Sequence, residues 1–204
     1  MGYLVFGLLS IAVYYALPIF VGTLPLRVVV YCAVSTSAAL AVWWGVRRNR
    51  AEPRAPWLVL CLSQLVYALA DTSFYTSHYV LHETGYPSIA DAFYLAHYPL
   101  VVVGLLMLIR QRRSDRDLPS LLDSVSLTVV AGLLSWVFVL GPQTRLGTPV
   151  LVEMVSLAYP LMDLVLLLVS LRLLFGGGRR DAAFVLLALW LAAILTADTL
   201  YELQ

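Results

Sequence analysis

The chain contains no lysine, since all 13 of its basic residues are arginine. Retinal Schiff-base chemistry, pyridoxal chemistry and a P-loop each depend on a lysine amine, so these classes are excluded. Charge of either sign is also scarce: charged residues make up 12% of the 204 residues, against about 25% in a typical soluble domain. The net charge of +1 provides no overall field that would steer an anionic partner.

Cysteine is nearly absent as well. Cys32 and Cys61 both lie inside apolar runs, where we expect small buried hydrophobic side chains. A Cys–Cys metal pair is disfavoured because thiolates are costly in an apolar site.

Long apolar runs dominate what remains, and runs of eighteen or more residues predict bilayer-spanning helices. We expect seven spans, at about 3–22, 26–46, 57–77, 88–109, 119–140, 149–174 and 182–203. The connections between them are too short for a folded soluble domain, which excludes a water-soluble enzyme and a nucleic-acid binder. The sequence therefore predicts an all-α bundle of seven transmembrane helices, with residues 1–204 forming one transmembrane domain and no soluble output domain.

Arginine placement predicts the orientation of these spans. Eleven arginines fall in or beside the connections after the second, fourth and sixth spans, and only Arg27 and Arg145 lie on the other side. Because the arginine-rich side is normally cytoplasmic, we expect a multi-pass protein of the cell membrane with its N-terminus in the cytoplasm. Seven spans then place Gln204 outside, so either the chain ends there or, as we expect, it is a fragment that lacks a further span.

An internal repeat supports that expectation. Fourteen residues separate Trp57 from Asp71 in the third span and Phe184 from Asp198 in the seventh, and each aspartate sits in an Ala-Asp-Thr triplet. Spans four apart with the same direction predict a parallel repeat of four plus four helices whose eighth helix is missing. The predicted repeat units are residues 1–110 and 119–204.

Polar side chains recur at spacings of three and four in the third, fourth, sixth and seventh spans, which places each set on one helix face. Ionisable groups in a bilayer need an internal partner or a water-filled cavity. We therefore predict an outward-facing cavity that binds a small-molecule or ion signal, in which Asp71 accepts a hydrogen bond from the fourth span. The alternative is a hydrogen-bond network that only holds the bundle together. The predicted lining residues are Asp71, Tyr75, Asp91, Tyr94, His97, Tyr98, Glu153, Tyr159, Asp163, Asp198 and Tyr201.

All three histidines lie within twenty residues of one another. His78 and His82 share a helix face if the third helix continues past the membrane edge, and with Glu83 and Asp91 nearby this spacing suits zinc or copper. His97 lies deeper and could act as an axial haem ligand or a proton acceptor. The alternative is that His78 and His82 belong to an aromatic belt at the interface.

Three segments resemble a known membrane region: PSIADAFYLAHYPL at 87–100, LAYPLMD at 157–163 and TADTLY at 196–201. They are similar to the N-terminal multi-span region of actinobacterial cyclic di-GMP signalling proteins, which precedes GGDEF and often EAL domains. The resemblance covers about residues 57–204. It implies a sensory input domain that is not itself an enzyme, in a full-length diguanylate cyclase and/or phosphodiesterase. Neither a GGDEF nor an EAL motif occurs in the chain.

Two other functions remain open from the residues alone. The intramembrane carboxylates could form the cation or proton path of a small transporter or channel, and the histidines could make a haem or metal membrane protein. The expected partners are the lipid bilayer, the unidentified signal and a second copy of the chain in a homodimer; nucleic acid is not expected.

Overall fold

The computed structural model describes residues 2–16, 24–49, 52–83, 85–112, 118–140, 149–176 and 181–202. This part of the chain is helical and contains no β-strand, which confirms the all-α class. Its seven α-helices are α1 Gly2–Ala16, α2 Leu24–Arg48, α3 Ala55–Tyr79, α4 Ile89–Arg112, α5 Leu118–Ser135, α6 Val150–Phe175 and α7 Ala182–Glu202. A π-helical turn, Trp136–Leu140, continues α5.

Six of these helices, α2 to α7, are long and apolar enough to cross a membrane. The chain is therefore a multi-pass membrane protein with six candidate spans among the residues described. The helix at the predicted first span, α1, has 15 residues, or about 22 Å, which is shorter than the roughly 30 Å of a hydrocarbon core. Residues 17–23 of that predicted span lie outside the described residues.

The chain divides into two compact units, residues 1–100 and 101–204, and the division falls within α4. In unit 1, α2 packs along α3, and α1 packs against α2. Small side chains are buried there, namely Ala39, Ala68 and Ala70. Small residues let two helix backbones approach closely without a hydrophobic driving force, and this brings polar groups of α2 within reach of α3.

Unit 2 is built on α6, which packs against both α5 and α7. Its buried side chains include Leu166, Leu173 and Leu191. Asp181 begins α7 by accepting a hydrogen bond from the backbone N–H of Phe184 at 2.9 Å. This is an N-cap, which satisfies one of the amides that a helix start leaves without an intrahelical partner.

The two ends of unit 1 differ in chemistry. At one end, α2 finishes with Arg47 and Arg48, and Arg54 immediately precedes α3; we call this the arginine end. The Arg47 guanidinium lies 4.0 Å from the centroid of the Trp43 ring, a pairing suited to a membrane–water interface. The opposite end, where Tyr79 ends α3, is called the tyrosine end. Of the arginines used to predict orientation, those outside the described residues are Arg50, Arg113, Arg116, Arg145, Arg179 and Arg180.

Candidate functional site

A single buried carboxylate joins three helices of unit 1. Asp71 on α3 is 1% exposed. Its Oδ2 accepts a hydrogen bond from the Ser35 hydroxyl on α2 at 2.6 Å, and its Oδ1 accepts one from the Tyr94 hydroxyl on α4 at 2.8 Å. The predicted hydrogen bond from the fourth span is confirmed by Tyr94.

Ser35 was not predicted as part of the site. It lies in a Ser-Thr-Ser stretch at 35–37, which is a polar interruption of an otherwise apolar span and was the available signal. Ser37 donates to the carbonyl of Val34 on its own helix at 2.8 Å. Ser35 therefore provides a link that crosses from α2 to α3, and which serine does so depends on how α2 is rotated against its neighbour.

Toward the tyrosine end, Asp71 is followed by a group of phenols. Tyr31 on α2 lies close enough to Asp71 for the carboxylate charge to act on it. The Tyr31 ring centroid is 5.1 Å from that of Tyr75 and 6.0 Å from that of Tyr14 on α1. Tyr75 also stacks on Tyr79, with centroids 5.8 Å apart. The predicted site residue Tyr75 thus lies in an aromatic cluster beside the carboxylate.

Toward the arginine end, the Tyr67 ring lies between two predicted site residues. Its centroid is 5.4 Å from that of Tyr94 and 5.1 Å from that of His97. His97 is 1% exposed, and its Nδ1 is 2.8 Å from the carbonyl oxygen of Ser63. A carbonyl only accepts, so Nδ1 carries the proton, and in a neutral imidazole Nε2 is then the acceptor nitrogen. We call Ser35, Asp71, Tyr94, Tyr67 and His97 the Asp71 network.

Tyr98, another predicted site residue, is buried beside this network. It is 5% exposed, and its ring centroid is 6.0 Å from that of His97. Its ring extends the aromatic packing around the imidazole on α4.

Asp91, predicted to line a cavity, has a local role at the start of α4. Its Oδ2 accepts hydrogen bonds from the backbone N–H of Ser88 at 2.6 Å and from the Ser88 hydroxyl at 2.9 Å. Ser88 precedes α4, and Asp91 is the third residue of the helix, so the pair resembles a capping box with an aspartate in the acidic position. The carboxylate therefore stabilises the start of the helix that carries Tyr94 and His97.

The condition for His78 and His82 to share a helix face, a third helix that continues through His82, is not met. The helix ends at Tyr79, the N–H of Glu83 bonds back to the carbonyl of Ser77 at 2.9 Å, and His82 adopts a left-handed φ of 55°. Such a turn leads the chain away from the helix axis, so His78 and His82 do not share a helix face. Both side chains are exposed. Within the described ranges, no group of three or more His, Cys, Asp or Glu side chains is placed to hold a metal ion.

The other predicted site residues belong to unit 2. Glu153 is in the first turn of α6. Tyr159 and Asp163 lie on either side of Pro160 in the same helix, and Asp198 is in α7. These four predicted site residues are half-buried. The Tyr201 side chain lies outside the described residues. A common cavity lined by these residues and those of unit 1 stays a prediction.

The two repeat-related aspartates occupy the same register in their helices. Asp71 is sixteen residues after Ala55, the first residue of α3, and Asp198 is sixteen residues after Ala182, the first residue of α7. Each carboxyl therefore sits at the same height above its helix start. The parallel repeat itself stays a prediction.

No family model, curated protein or solved structure matches this chain. The resemblance to the cyclic di-GMP signalling region stays a prediction, and its three segments coincide with ionisable positions of the fold. They contain the start of α4 with Asp91, the middle of α6 with Asp163 and the last turns of α7 with Asp198.

Proposed function

We propose that this chain is a transmembrane sensory or regulatory domain in which a signal acts on the Asp71 network and changes how α2 and α4 pack on α3. The observation that carries the proposal is the bridging geometry of Asp71. This carboxyl group is 1% exposed, and it accepts one hydrogen bond from a hydroxyl on α2 and one from a hydroxyl on α4. Any ligand that competes for this carboxyl breaks a link between helices.

The strength of these links suits a switch. Hydrogen bonds between membrane helices contribute about 0.6 kcal/mol on average and up to about 1.7 kcal/mol. The two bonds to Asp71 together therefore contribute on the order of 1–3 kcal/mol. A ligand can shift a two-state equilibrium only by its differential affinity, and a few kcal/mol is within the range that ordinary binding supplies.

The resemblance to cyclic di-GMP signalling proteins supports a specific output. The full-length protein then carries GGDEF and/or EAL domains in the cytoplasm and acts as a diguanylate cyclase and/or phosphodiesterase. A homodimer would let a change in helix packing alter the pairing of two such domains. The signal itself is a small molecule or an ion that reaches the site from outside.

The topology we propose has seven spans, the N-terminus in the cytoplasm of a cell-membrane protein, and a parallel repeat that continues into an eighth helix. The arginine end of unit 1 then faces the cytoplasm, and the tyrosine end faces outward. Arginines in the last turns of α2 and α6 support this orientation. The equal register of Asp71 and Asp198 supports the repeat.

A transporter or channel is less well supported because apolar packing lies beyond the network at the arginine end. Leu60 and Val46 are buried there, and the Cys61 thiol donates to the backbone carbonyl of Ala39 on α2 at 3.3 Å. A haem or metal protein built on His78 and His82 loses the helical spacing that suggested it.

The test uses the full reading frame. Its sequence beyond codon 204 should encode a GGDEF or EAL domain, and membranes containing the full-length protein should make or degrade cyclic di-GMP. Asp71→Asn is expected to change that activity severalfold, while the matched Asp91→Asn, at the cap of α4, leaves it unchanged. A full-length protein with no such output domain, or cyclic di-GMP turnover that Asp71→Asn leaves unchanged, contradicts the proposal.

A further inference from the structure

Two titratable side chains, Asp71 and His97, are each 1% exposed and lie on opposite sides of the middle of α3. This helix runs from Ala55 to Tyr79, so Tyr67 is its central residue. Asp71 is one turn beyond Tyr67, and Ser63, whose carbonyl contacts His97, is one turn before it. Eight residues of helix correspond to about 12 Å. A carboxyl and an imidazole therefore flank the centre of a membrane-spanning helix.

Tyrosines connect the two groups. The Tyr94 hydroxyl donates to Asp71 at 2.8 Å, and the Tyr67 ring contacts those of both Tyr94 and His97. A phenol hydroxyl can donate and accept a hydrogen bond at once. Acidic and histidine side chains inside a membrane mark sites that handle protons, and here the Tyr67 ring packs between the tyrosine that holds Asp71 and the histidine.

The chain of phenols reaches the surface of unit 1 at one end. Tyr75 lies one turn after Asp71 on α3, and its ring contacts those of Tyr31 and Tyr79. Tyr79 is 38% exposed at the tyrosine end. Beyond His97, toward the arginine end, the buried side chains include the apolar Leu60 and Val46. Within the described part of unit 1, phenols therefore lie between Asp71 and the tyrosine end, and buried apolar side chains lie on the other side.

We propose that the Asp71 network is a proton-binding site that opens toward the tyrosine end. This proposal rests on the proposed function because it uses the same site, and it identifies the proton as the ligand. Asp71 takes a proton from a hydronium ion on that side, becoming a neutral carboxylic acid and leaving a water molecule. On the other side of the Tyr67 ring, His97 is held by the hydrogen bond between its Nδ1 and the Ser63 carbonyl.

The neighbours of Asp71 explain why a proton is the suitable ligand. The described titratable groups that act on this network or join it are Tyr14 on α1, Tyr31 and Cys32 on α2, Tyr67 and Tyr75 on α3, and Tyr94 and His97 on α4. None of them carries a permanent positive charge, so a proton is the simplest way to neutralise the buried carboxylate. Once protonated, one carboxyl oxygen becomes a donor, and Ser35 or Tyr94 must turn its hydroxyl to accept. Proton uptake thereby changes the links to α2 or α4.

Infrared difference spectroscopy of the purified chain in phosphatidylcholine vesicles tests this directly. The carbonyl stretching band of a protonated carboxylic acid should grow as the buffer is acidified. The other carboxyl groups of the chain also absorb here when protonated, so the Asp71 band is the component that Asp71→Asn removes and the matched Asp91→Asn keeps. Tyr94→Phe removes one donor to the carboxylate, so the midpoint of the band should move up by about one to two pH units.

A band that Asp71→Asn leaves unchanged, or an Asp71 band that does not respond to pH, overturns the proposal. So does a band abolished by sodium ions at constant pH, since that would identify a metal cation as the ligand. Because the band reports proton occupancy and not signalling, its failure leaves the cyclic di-GMP test of the proposed function intact. If Asp71→Asn does not fold, the midpoint shift in Tyr94→Phe decides the matter.

Discussion

Tyr94→Phe is the perturbation that isolates one link of the Asp71 network. It removes the hydroxyl that donates to Asp71 at 2.8 Å and keeps the ring that packs 5.4 Å from Tyr67. An interhelical hydrogen bond between neutral groups in a membrane contributes about 0.6–1.7 kcal/mol, and one to a charged group about 1.5–3 kcal/mol. The measured loss of stability therefore also indicates whether Asp71 is ionised at the pH of the experiment.

A double-mutant cycle with Asp71→Ala separates this bond from other effects. Asp71→Ala removes the carboxyl that holds both Ser35 and Tyr94, so it should cost roughly 1–4 kcal/mol. Adding Tyr94→Phe to Asp71→Ala should cost little more, because the partner hydroxyl has already lost its acceptor. The coupling energy should equal the strength of the Tyr94 bond.

The assay is denaturant unfolding of the purified protein in detergent micelles, followed by circular dichroism. Thr196→Ala is the matched control: Thr196 is exposed on α7, and its hydroxyl donates to the carbonyl of Ala192 at 2.7 Å within that helix. The control should change stability by no more than about 0.5 kcal/mol. A Tyr94→Phe effect no larger than this, or a coupling energy of zero, would refute the bridging role of Asp71.

Three further predictions concern other parts of the chain. In a cysteine-free background, Ser114→Cys should resist an impermeant maleimide added from outside intact cells and Gln143→Cys should react, whereas the reverse result would invert the proposed topology. His97→Leu removes the donor to the Ser63 carbonyl and should destabilise the protein by about 0.5–1.5 kcal/mol. His97→Asn keeps an N–H and should cost less. Equal unfolding midpoints of the two variants would argue against that hydrogen bond. Asp181→Ala removes the cap of α7 and should cost about 0.5–2 kcal/mol, with Asp181→Ser retaining most of the stability in the same unfolding assay.

Composition and apolar run length were sufficient to predict the all-α membrane fold, because a bilayer leaves the backbone few ways to satisfy its own hydrogen bonds. Helical spacing was sufficient to predict that Asp71 would find its partner on the fourth span, since polar faces of consecutive helices meet, but only the fold selects Tyr94 over Tyr98. Ser88 and Asp91 carried a capping signal in their spacing, but the signal was interpreted as part of a polar face.

Tertiary structure decided the rest. Sequence spacing describes one helix at a time and does not specify how a neighbouring helix is rotated. The packing of α2 on α3 therefore decided that Ser35 contacts Asp71, while Ser37 bonds within its own helix. The end of the third span was predicted at about residue 77, close to Tyr79, but the left-handed turn at His82 was hidden, because residues 80–83 have no proline or glycine that would predict it. The carboxyl needs donors from outside its own helix because the amides of that helix are already bonded to each other, and only the packed fold determines which side chains supply them.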